Sequence, residues 1–209
     1  MIRKTLKSFI PKIILGQREK RQIKKILENW ENNGCPVPPP HVAKQITIAA
    51  YQQKYEYHTL IETGTYLGDM VEAQKTNFKK IFSIELGVDL FEKARKRFIN
   101  NKNVIIVQGD SGKMLPKILK GLNEPAIFWL DGHYSEGITA KGDKDCPIFE
   151  EIDAIFNNNL LNHILLIDDA RCFIGIGDYP SIDNLTEYIR SKNEKYQVEI
   201  KHDIIRYVI

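Results

Sequence analysis

A short apolar run leads into a glycine-bearing turn in the segment Thr59-Leu60-Ile61-Glu62-Thr63-Gly64-Thr65-Tyr66-Leu67-Gly68. Gly64 allows the chain to turn sharply and a ligand to approach the backbone, and Gly68 allows close packing where a helix begins. The spacing, acid-x-Gly-x-x-x-Gly, differs from the three-glycine pattern that cradles a pyrophosphate at a helix N-terminus. The segment therefore predicts a strand–turn–helix unit with a ligand-binding edge that is not a dinucleotide site.

An apolar run that ends on an acid recurs four more times, in Ile81–Glu85, Val104–Asp110, Ile127–Asp131 and Ile164–Asp169. Ligands of an open α/β sheet bind outside the carboxyl ends of its strands. A row of acids at that edge predicts a ligand that carries hydroxyls, amines or positive charge.

The pattern between these runs predicts an α/β fold with a mostly parallel, Rossmann-like sheet. Two runs at the end of the chain, Tyr196–Ile200 and Ile204–Ile209, leave no room for a helix between them, so we expect an antiparallel hairpin. The predicted strands are 59–63, 80–85, 103–108, 126–131 and 163–168, and the predicted helices are 17–33, 41–54, 68–77, 88–100, 111–121, 146–158 and 181–192.

Composition and charge limit the class of protein. The chain has 209 residues, enough for one domain, and no apolar run approaches the ~18 residues of a membrane helix. We expect no signal peptide, and three cysteines without paired spacing favour free thiols in a reducing cytoplasm. Residues 1–30 hold nine Lys/Arg against two Glu within a net charge of +3. We therefore expect a basic helical extension over 1–55 and a second unit over 56–209.

Two acids beyond the first turn are candidates for binding a nucleoside. Glu85 lies 23 residues after Glu62, at the end of the next strand, where an acid accepts hydrogen bonds from ribose hydroxyls. It could equally be a surface carboxylate favoured by a helix dipole. Asp110 could cap the following helix, accept the amino group of an adenine, or do both.

These residues resemble the class I S-adenosylmethionine-dependent methyltransferases over roughly 59–209. The resemblance rests on the glycine turn, Ser83-Ile84-Glu85, Gln108-Gly109-Asp110-Ser111, Asp131 and the terminal hairpin. It implies a seven-stranded sheet of order 3-2-1-4-5-7-6 with an antiparallel last strand, and helices on both faces. It also implies that S-adenosylmethionine is bound by Glu62, Gly64, Thr65, Gly68, Glu85, Asp110, Ser111 and Asp131.

A second group of acids is predicted to form the reaction side. Asp131 follows the fourth strand and the pair Asp168-Asp169 follows the fifth, and adjacent parallel strands lie ~4.8 Å apart, so these acids can converge. Carboxylates and water suit Mg²⁺, which would bind and orient a substrate hydroxyl. The pattern is similar to metal-dependent O-methyltransferases of the catechol type and the macrocin-type sugar type, in which acids at these positions hold the metal. Alternatively, Asp168 and Asp169 only cap the following loop.

His133 departs from the catechol-type pattern and is a candidate general base, with Asp131 beside it as a second catalytic residue. The alternative is a supporting hydrogen bond or an incidental loop histidine. Arg171, in the loop after the fifth strand, could hold an anionic acceptor.

The sequence thus predicts an O-methyltransferase that acts, with Mg²⁺, on a hydroxyl of a sugar or another small polar metabolite. A second reading is a metal-independent methyltransferase with His133 as base. A third is a non-catalytic module that docks through the basic arm of residues 1–30. A nicotinamide oxidoreductase is disfavoured by the glycine spacing and the hairpin.

Nucleic acid is a disfavoured partner because no groove-reading motif accompanies the charge. The extension is a candidate lid or homodimer contact.

Overall fold

The computed structural model describes residues 17–132, 145–157 and 162–209. Within these ranges the strands are β1 Thr59–Thr63, β2 Lys80–Glu85, β3 Val104–Gln108, β4 Ala126–Leu130, β5 Ile164–Ile167, β6 Gln197–Lys201 and β7 Ile204–Val208. The helices are α1 Gln17–Asn32, α2 His41–Tyr55, α3 Asp69–Gln74, α4 Val88–Arg97, α5 Ser111–Leu119, α6 Ile148–Phe156 and α7 Ile182–Lys192. The predicted elements are confirmed, with the largest differences at the ends of helices.

The seven strands form one sheet in the order β3-β2-β1-β4-β5-β7-β6. Strands β1 to β5 pair in parallel, whereas β7 is antiparallel to both β5 and β6. The strand order implied by the resemblance and the predicted hairpin are both confirmed. The hairpin turn consists of His202 and Asp203, which both have positive φ, 54° and 61°. Positive φ at both central residues matches the right-handed twist of paired strands, which explains a two-residue connection.

Apolar clusters cover both faces of the sheet. On one face, α5, α6 and α7 contribute Leu115, Ile152 and Leu185 to a cluster that contains Phe128 and Leu165 of the sheet. On the other face, the cluster contains Ile48, Met70 and Phe98 with the sheet residues Ile127, Trp129 and Leu166. Consecutive residues of β4 therefore belong alternately to the two apolar clusters. This explains why the strand is apolar at every position, as is typical of a parallel sheet covered on both faces.

The N-terminal helices pack onto the sheet through α2. Leu27 and Trp30 of α1 form a small cluster with Ala43 and Ile46 of α2, while Ile48 of α2 belongs to the cluster on the sheet. Helix α2 thus links α1 to the sheet. The boundary predicted between residues 55 and 56 stays a prediction. No helix in the described ranges has the length and apolarity to cross a membrane.

Candidate functional site

The turn after β1 is shaped by contact with the end of β4. Gly64 has φ +84° and its amide donates to the carbonyl oxygen of Ile84 at 2.9 Å. A β-carbon on Gly64 would collide with the backbone carbonyl of Asp131. The turn therefore requires glycine at this position for two reasons, a left-handed backbone conformation and the absence of a side chain. It brings the first glycine of the motif into contact with the backbone of Asp131.

Beneath this turn, Glu62 is buried in the sheet. Its side chain accepts a hydrogen bond from the Ser83 hydroxyl, which lies 2.6 Å from the Thr65 hydroxyl. Burial raises the pKa of Glu62 to about 8; the Ser83 hydrogen bond opposes this increase and the charge of Glu85 adds to it. The side chains of Glu62 and Thr65 are both buried, and Glu62 is only 1% exposed.

Glu85 joins the first two strand–helix turns. Its Oε2 accepts the backbone N–H of Tyr66 and its Oε1 accepts that of Gly87, each at 2.8 Å. A carboxylate oxygen can accept two hydrogen bonds, so each oxygen of Glu85 retains capacity for a ligand beside its one backbone donor. The two backbone donors fix the carboxylate at the carboxyl end of β2, where the sequence predicts a ribose contact.

The third turn places Asp110 next to Glu85. The amide of Gly109 donates to the backbone oxygen of Glu85 at 2.9 Å, and Asp110 then precedes α5 as its N-cap. Its carboxylate caps the helix by accepting the amide of Lys113 at 3.1 Å, and Ser111 is buried in the first turn. The predicted cap is confirmed. Because the cap uses Oδ1 of Asp110, the predicted contact between this carboxylate and an adenine is compatible with capping.

The reaction-side acids converge at the ends of β4 and β5. The amide of Asp131 donates to the carbonyl oxygen of Thr63 at 3.2 Å, and that of Asp168 to Leu130 at 3.0 Å. Burial, then the charge of Asp168, raises the pKa of Asp131 well above its usual range. Burial also raises the pKa of Asp168, which is 1% exposed, and outweighs the opposing charge of Lys44. Crowded carboxylates of this kind favour the arrival of a cation.

A lysine from the N-terminal extension lies among these acids. Nζ of Lys44, on α2, lies 2.5 Å from Oδ2 of Asp168 and 3.2 Å from Oδ1 of Asp169. Burial lowers the pKa of Lys44, but Asp168 and Asp169 more than reverse this, so its pKa is raised and it remains an ammonium. The sequence analysis missed Lys44. The only signal was a lysine within the largely uncharged segment from 42 to 53, which is weak by itself.

Arg171 has a structural partner in the hairpin turn. Its side chain forms ion pairs with Asp169, at 2.8 Å, and with Asp203, whose Oδ1 accepts the Arg171 backbone amide at 2.8 Å. Nη1 of the guanidinium is therefore paired with two carboxylates of the protein, and the role of Arg171 in holding an anionic acceptor stays a prediction.

The arrangement does not fit a Mg²⁺ ion in the predicted place. Mg²⁺ binds its oxygen ligands at about 2.0–2.1 Å, and the Lys44 ammonium already occupies the space beside two of the three predicted ligands. Among the described residues, no group of three or more His, Cys, Asp or Glu side chains is arranged to hold a metal. His133 and the segment 133–144 lie outside the described residues. The three cysteines are free thiols, as expected.

No family model and no curated protein sequence matches this chain. Solved structures do. A methyltransferase of Podospora anserina bound to S-adenosylhomocysteine (PaMTH1) has 15% identity and a TM-score of 0.56 over 95% of this chain and 99% of its own. An O-methyltransferase from Bacillus cereus in complex with S-adenosylhomocysteine has 13% identity and a TM-score of 0.55, covering 98% and 97%.

The O-methyltransferase TomG of Streptomyces achromogenes, in complex with S-adenosylmethionine, has 12% identity and a TM-score of 0.57 over 100% of this chain and 99% of its own. At such identities the likeness concerns the fold. Together with the strand order and the antiparallel β7, it shows that this chain has the class I S-adenosylmethionine-dependent methyltransferase fold.

Proposed function

We propose that the protein binds S-adenosylmethionine and transfers its methyl group to a hydroxyl of a small polar acceptor, with sugars as the first class to test. The observation that carries this proposal is the Glu85 carboxylate, held by Tyr66 and Gly87 at the end of β2 beside the Gly64 turn. A carboxylate fixed at this point is suited to pairing with the two hydroxyls of a ribose.

The charge of the site also supports this cofactor. S-adenosylmethionine carries a sulfonium and an ammonium, and Glu62, Asp131 and Asp168 are buried acids whose pKa values are raised mainly by burial and secondarily by neighbouring carboxylates. A cation that enters such a site is attracted by the ionised carboxylates and lowers their pKa values. A dinucleotide, with its pyrophosphate, would be repelled.

The reaction is a displacement at carbon. The acceptor oxygen forms a bond to the methyl carbon while the bond from that carbon to sulfur breaks. The electron pair of the broken bond stays on sulfur, which gives S-adenosylhomocysteine, and the hydroxyl proton passes to a base, for which His133 is the candidate from the sequence. The protein's main contribution is to hold the oxygen in line with the sulfur–carbon bond. Two of the similar solved structures are O-methyltransferases, which supports oxygen as the acceptor atom.

Calorimetric titration tests the cofactor. We expect S-adenosylmethionine and S-adenosylhomocysteine to bind with one site per chain and NAD not to bind. Radiolabelled methyl transfer to a panel of sugars, catechols and other hydroxyl compounds then identifies the acceptor class. Failure of both S-adenosyl compounds to bind would contradict the proposal. Salt-sensitive nucleic-acid binding that is lost on deleting the basic arm of residues 1–30 would instead support the docking module.

The sequence predicts two means of activating the acceptor. Mg²⁺ at Asp131, Asp168 and Asp169 is disfavoured by the position of Lys44, and proton removal by His133 stays a prediction. Activity lost in EDTA and restored by Mg²⁺ would support the first. Activity that is insensitive to EDTA and lost in His133→Ala would support the second. A cytoplasmic location and a homodimer are further predictions, testable by fractionation and by light scattering.

A further inference from the structure

We propose that Lys44 takes the place of a divalent cation beside Asp131, Asp168 and Asp169, so that this protein needs no metal at its reaction side. The inference deepens the proposed function and rests on it for its meaning in catalysis. The structural part, a lysine where a metal would lie, is testable without any methyl transfer.

The first argument is the exclusion of one cation by another. Lys44 Nζ contacts one oxygen of Asp168 and one of Asp169, and the three side chains are 13%, 1% and 14% exposed. A Mg²⁺ or Mn²⁺ ion bound to the same oxygens would lie within a few ångströms of the ammonium. Two cations at that distance in a partly buried site repel, so a divalent ion binds these oxygens more weakly while the ammonium is present.

The second argument is that Lys44 is held in place by packing on both sides of its position on α2. Ala43 packs with Leu27 and Trp30 of α1, and Ile48, one turn further on, is fully buried against the sheet. The helix therefore presents the amino group from a rigid backbone. A metal could displace the ammonium only by leaving a desolvated lysine without its acids, which is costly.

The third argument concerns what the ammonium can do. A lysine carries three N–H donors, and Asp168 and Asp169 accept two of them. The third is available to an acceptor oxygen that approaches the ends of β4 and β5. Lys44 would then orient that oxygen and stabilise negative charge on it as its proton leaves, a service that a metal ion otherwise supplies. In this role Lys44 contacts the reacting oxygen and is a catalytic residue.

Binding of Mn²⁺, measured by electron paramagnetic resonance of the free ion, tests the proposal on the full chain. We expect no stoichiometric Mn²⁺ binding by the wild type. In Lys44→Met, which retains the aliphatic stem and removes the charge, the vacated acids should bind Mn²⁺ at least about tenfold more tightly. That binding should disappear in the double variant Lys44→Met/Asp168→Asn.

Lys54→Met is the matched control, because Lys54 is an exposed lysine near the end of the same helix. It should leave Mn²⁺ binding as in the wild type. Wild-type binding of one Mn²⁺ per chain that is abolished by Asp168→Asn would overturn the proposal. So would a folded Lys44→Met, verified by circular dichroism, that gains no Mn²⁺ binding.

The wild-type measurement decides the question even if Lys44→Met does not fold. S-adenosylmethionine binding by calorimetry is a separate readout, so a failure of the proposed function is distinguished from a failure of this inference. Where an acceptor has been found, the wild type should also keep its turnover in EDTA, and Lys44→Met should lose turnover with little change in cofactor affinity.

Discussion

The α-carbon of Gly64 lies so close to the carbonyl group of Asp131 that a β-carbon on Gly64 would overlap the carbonyl oxygen. The first strand–helix turn and the end of β4 are thus in direct backbone contact. Gly34 provides a comparison, because it has nearly the same φ, +81° against +84°, but nothing within 4 Å of its added β-carbon. A comparison of Gly34 with Gly64 therefore separates the free-energy cost of a left-handed backbone conformation from that of a steric collision.

We expect Gly34→Ala to destabilise the protein by about 1 kcal/mol, the cost of placing a β-carbon in the left-handed region. Gly64→Ala should cost at least about 2 kcal/mol more, because the oxygen that it meets belongs to the backbone of a central strand end. Urea unfolding measures both. Calorimetry should also show that Gly64→Ala weakens S-adenosylmethionine binding while Gly34→Ala does not. Equal losses of stability would mean that the turn can move away from β4.

Glu85 should contribute to cofactor binding through its charge. We expect Glu85→Gln to weaken S-adenosylmethionine binding by about 1.5–3 kcal/mol, the usual range for hydrogen bonds to a charged group. Asp89→Asn, in the exposed first turn of α4, is the control and should bind the cofactor like the wild type. An unchanged affinity in Glu85→Gln would show that this carboxylate serves only to join Tyr66 to Gly87.

Glu62 should make stability depend on pH. Its pKa is about 8 in the folded protein against an ordinary value of 4.5, so the folded state binds more protons between these values. Stability should therefore fall as the pH rises from about 4.5 to 8, and not change further through this group above that range.

Glu62→Gln removes this titration and retains a hydrogen-bonding partner for Ser83. Its stability relative to the wild type should rise between pH 5 and pH 8 by on the order of 3 kcal/mol, measured by urea unfolding at each pH. Glu187→Gln, at an exposed position on α7, is the matched control for the effect of a Glu-to-Gln change. A flat difference for Glu62→Gln would mean that the buried carboxyl is ionised throughout.

Trp30 should couple the N-terminal helices to the hairpin. Its indole nitrogen donates to the Pro36 carbonyl at 2.8 Å, and its ring meets the His202 ring edge-on with centroids 4.9 Å apart. We expect Trp30→Ala to cost about 3–5 kcal/mol, as for a large buried aromatic side chain. Ile26→Ala, on the same helix and 47% exposed, should cost less than about 1 kcal/mol. Similar losses in urea unfolding would indicate that α1 is loosely attached.

Much of the fold was predictable because its signals are local. The apolar runs of β4 and β5, bounded by Asp131 and Asp168, identify buried parallel strands without reference to the rest of the chain. The absence of room for a helix between β6 and β7 predicted the hairpin in the same way. The cap at Asp110 was also predictable, since a cap involves an acid and an amide three residues later.

The reaction side was predictable only in part. The sequence predicts that Asp131, Asp168 and Asp169 lie close together, because adjacent strands of a parallel sheet have their carboxyl ends at the same edge. It could not indicate what balances their charge. Lys44 and Asp168 are 124 residues apart, and no spacing rule connects them. The cation was predicted to be a metal, and the structure places an ammonium there.

The sequence by itself determined the order of the elements, the glycine turn and the acids at the strand ends, since period, turn chemistry and strand length depend on neighbouring residues. The tertiary structure alone decided that α2 packs on one face of the sheet, with Lys44 against Asp168. That placement follows from the burial of Ile48 on the sheet and of Ala43 and Ile46 against α1. Apolar packing of this kind depends on residues that are far apart in the sequence. It positions the Lys44 ammonium beside Asp168.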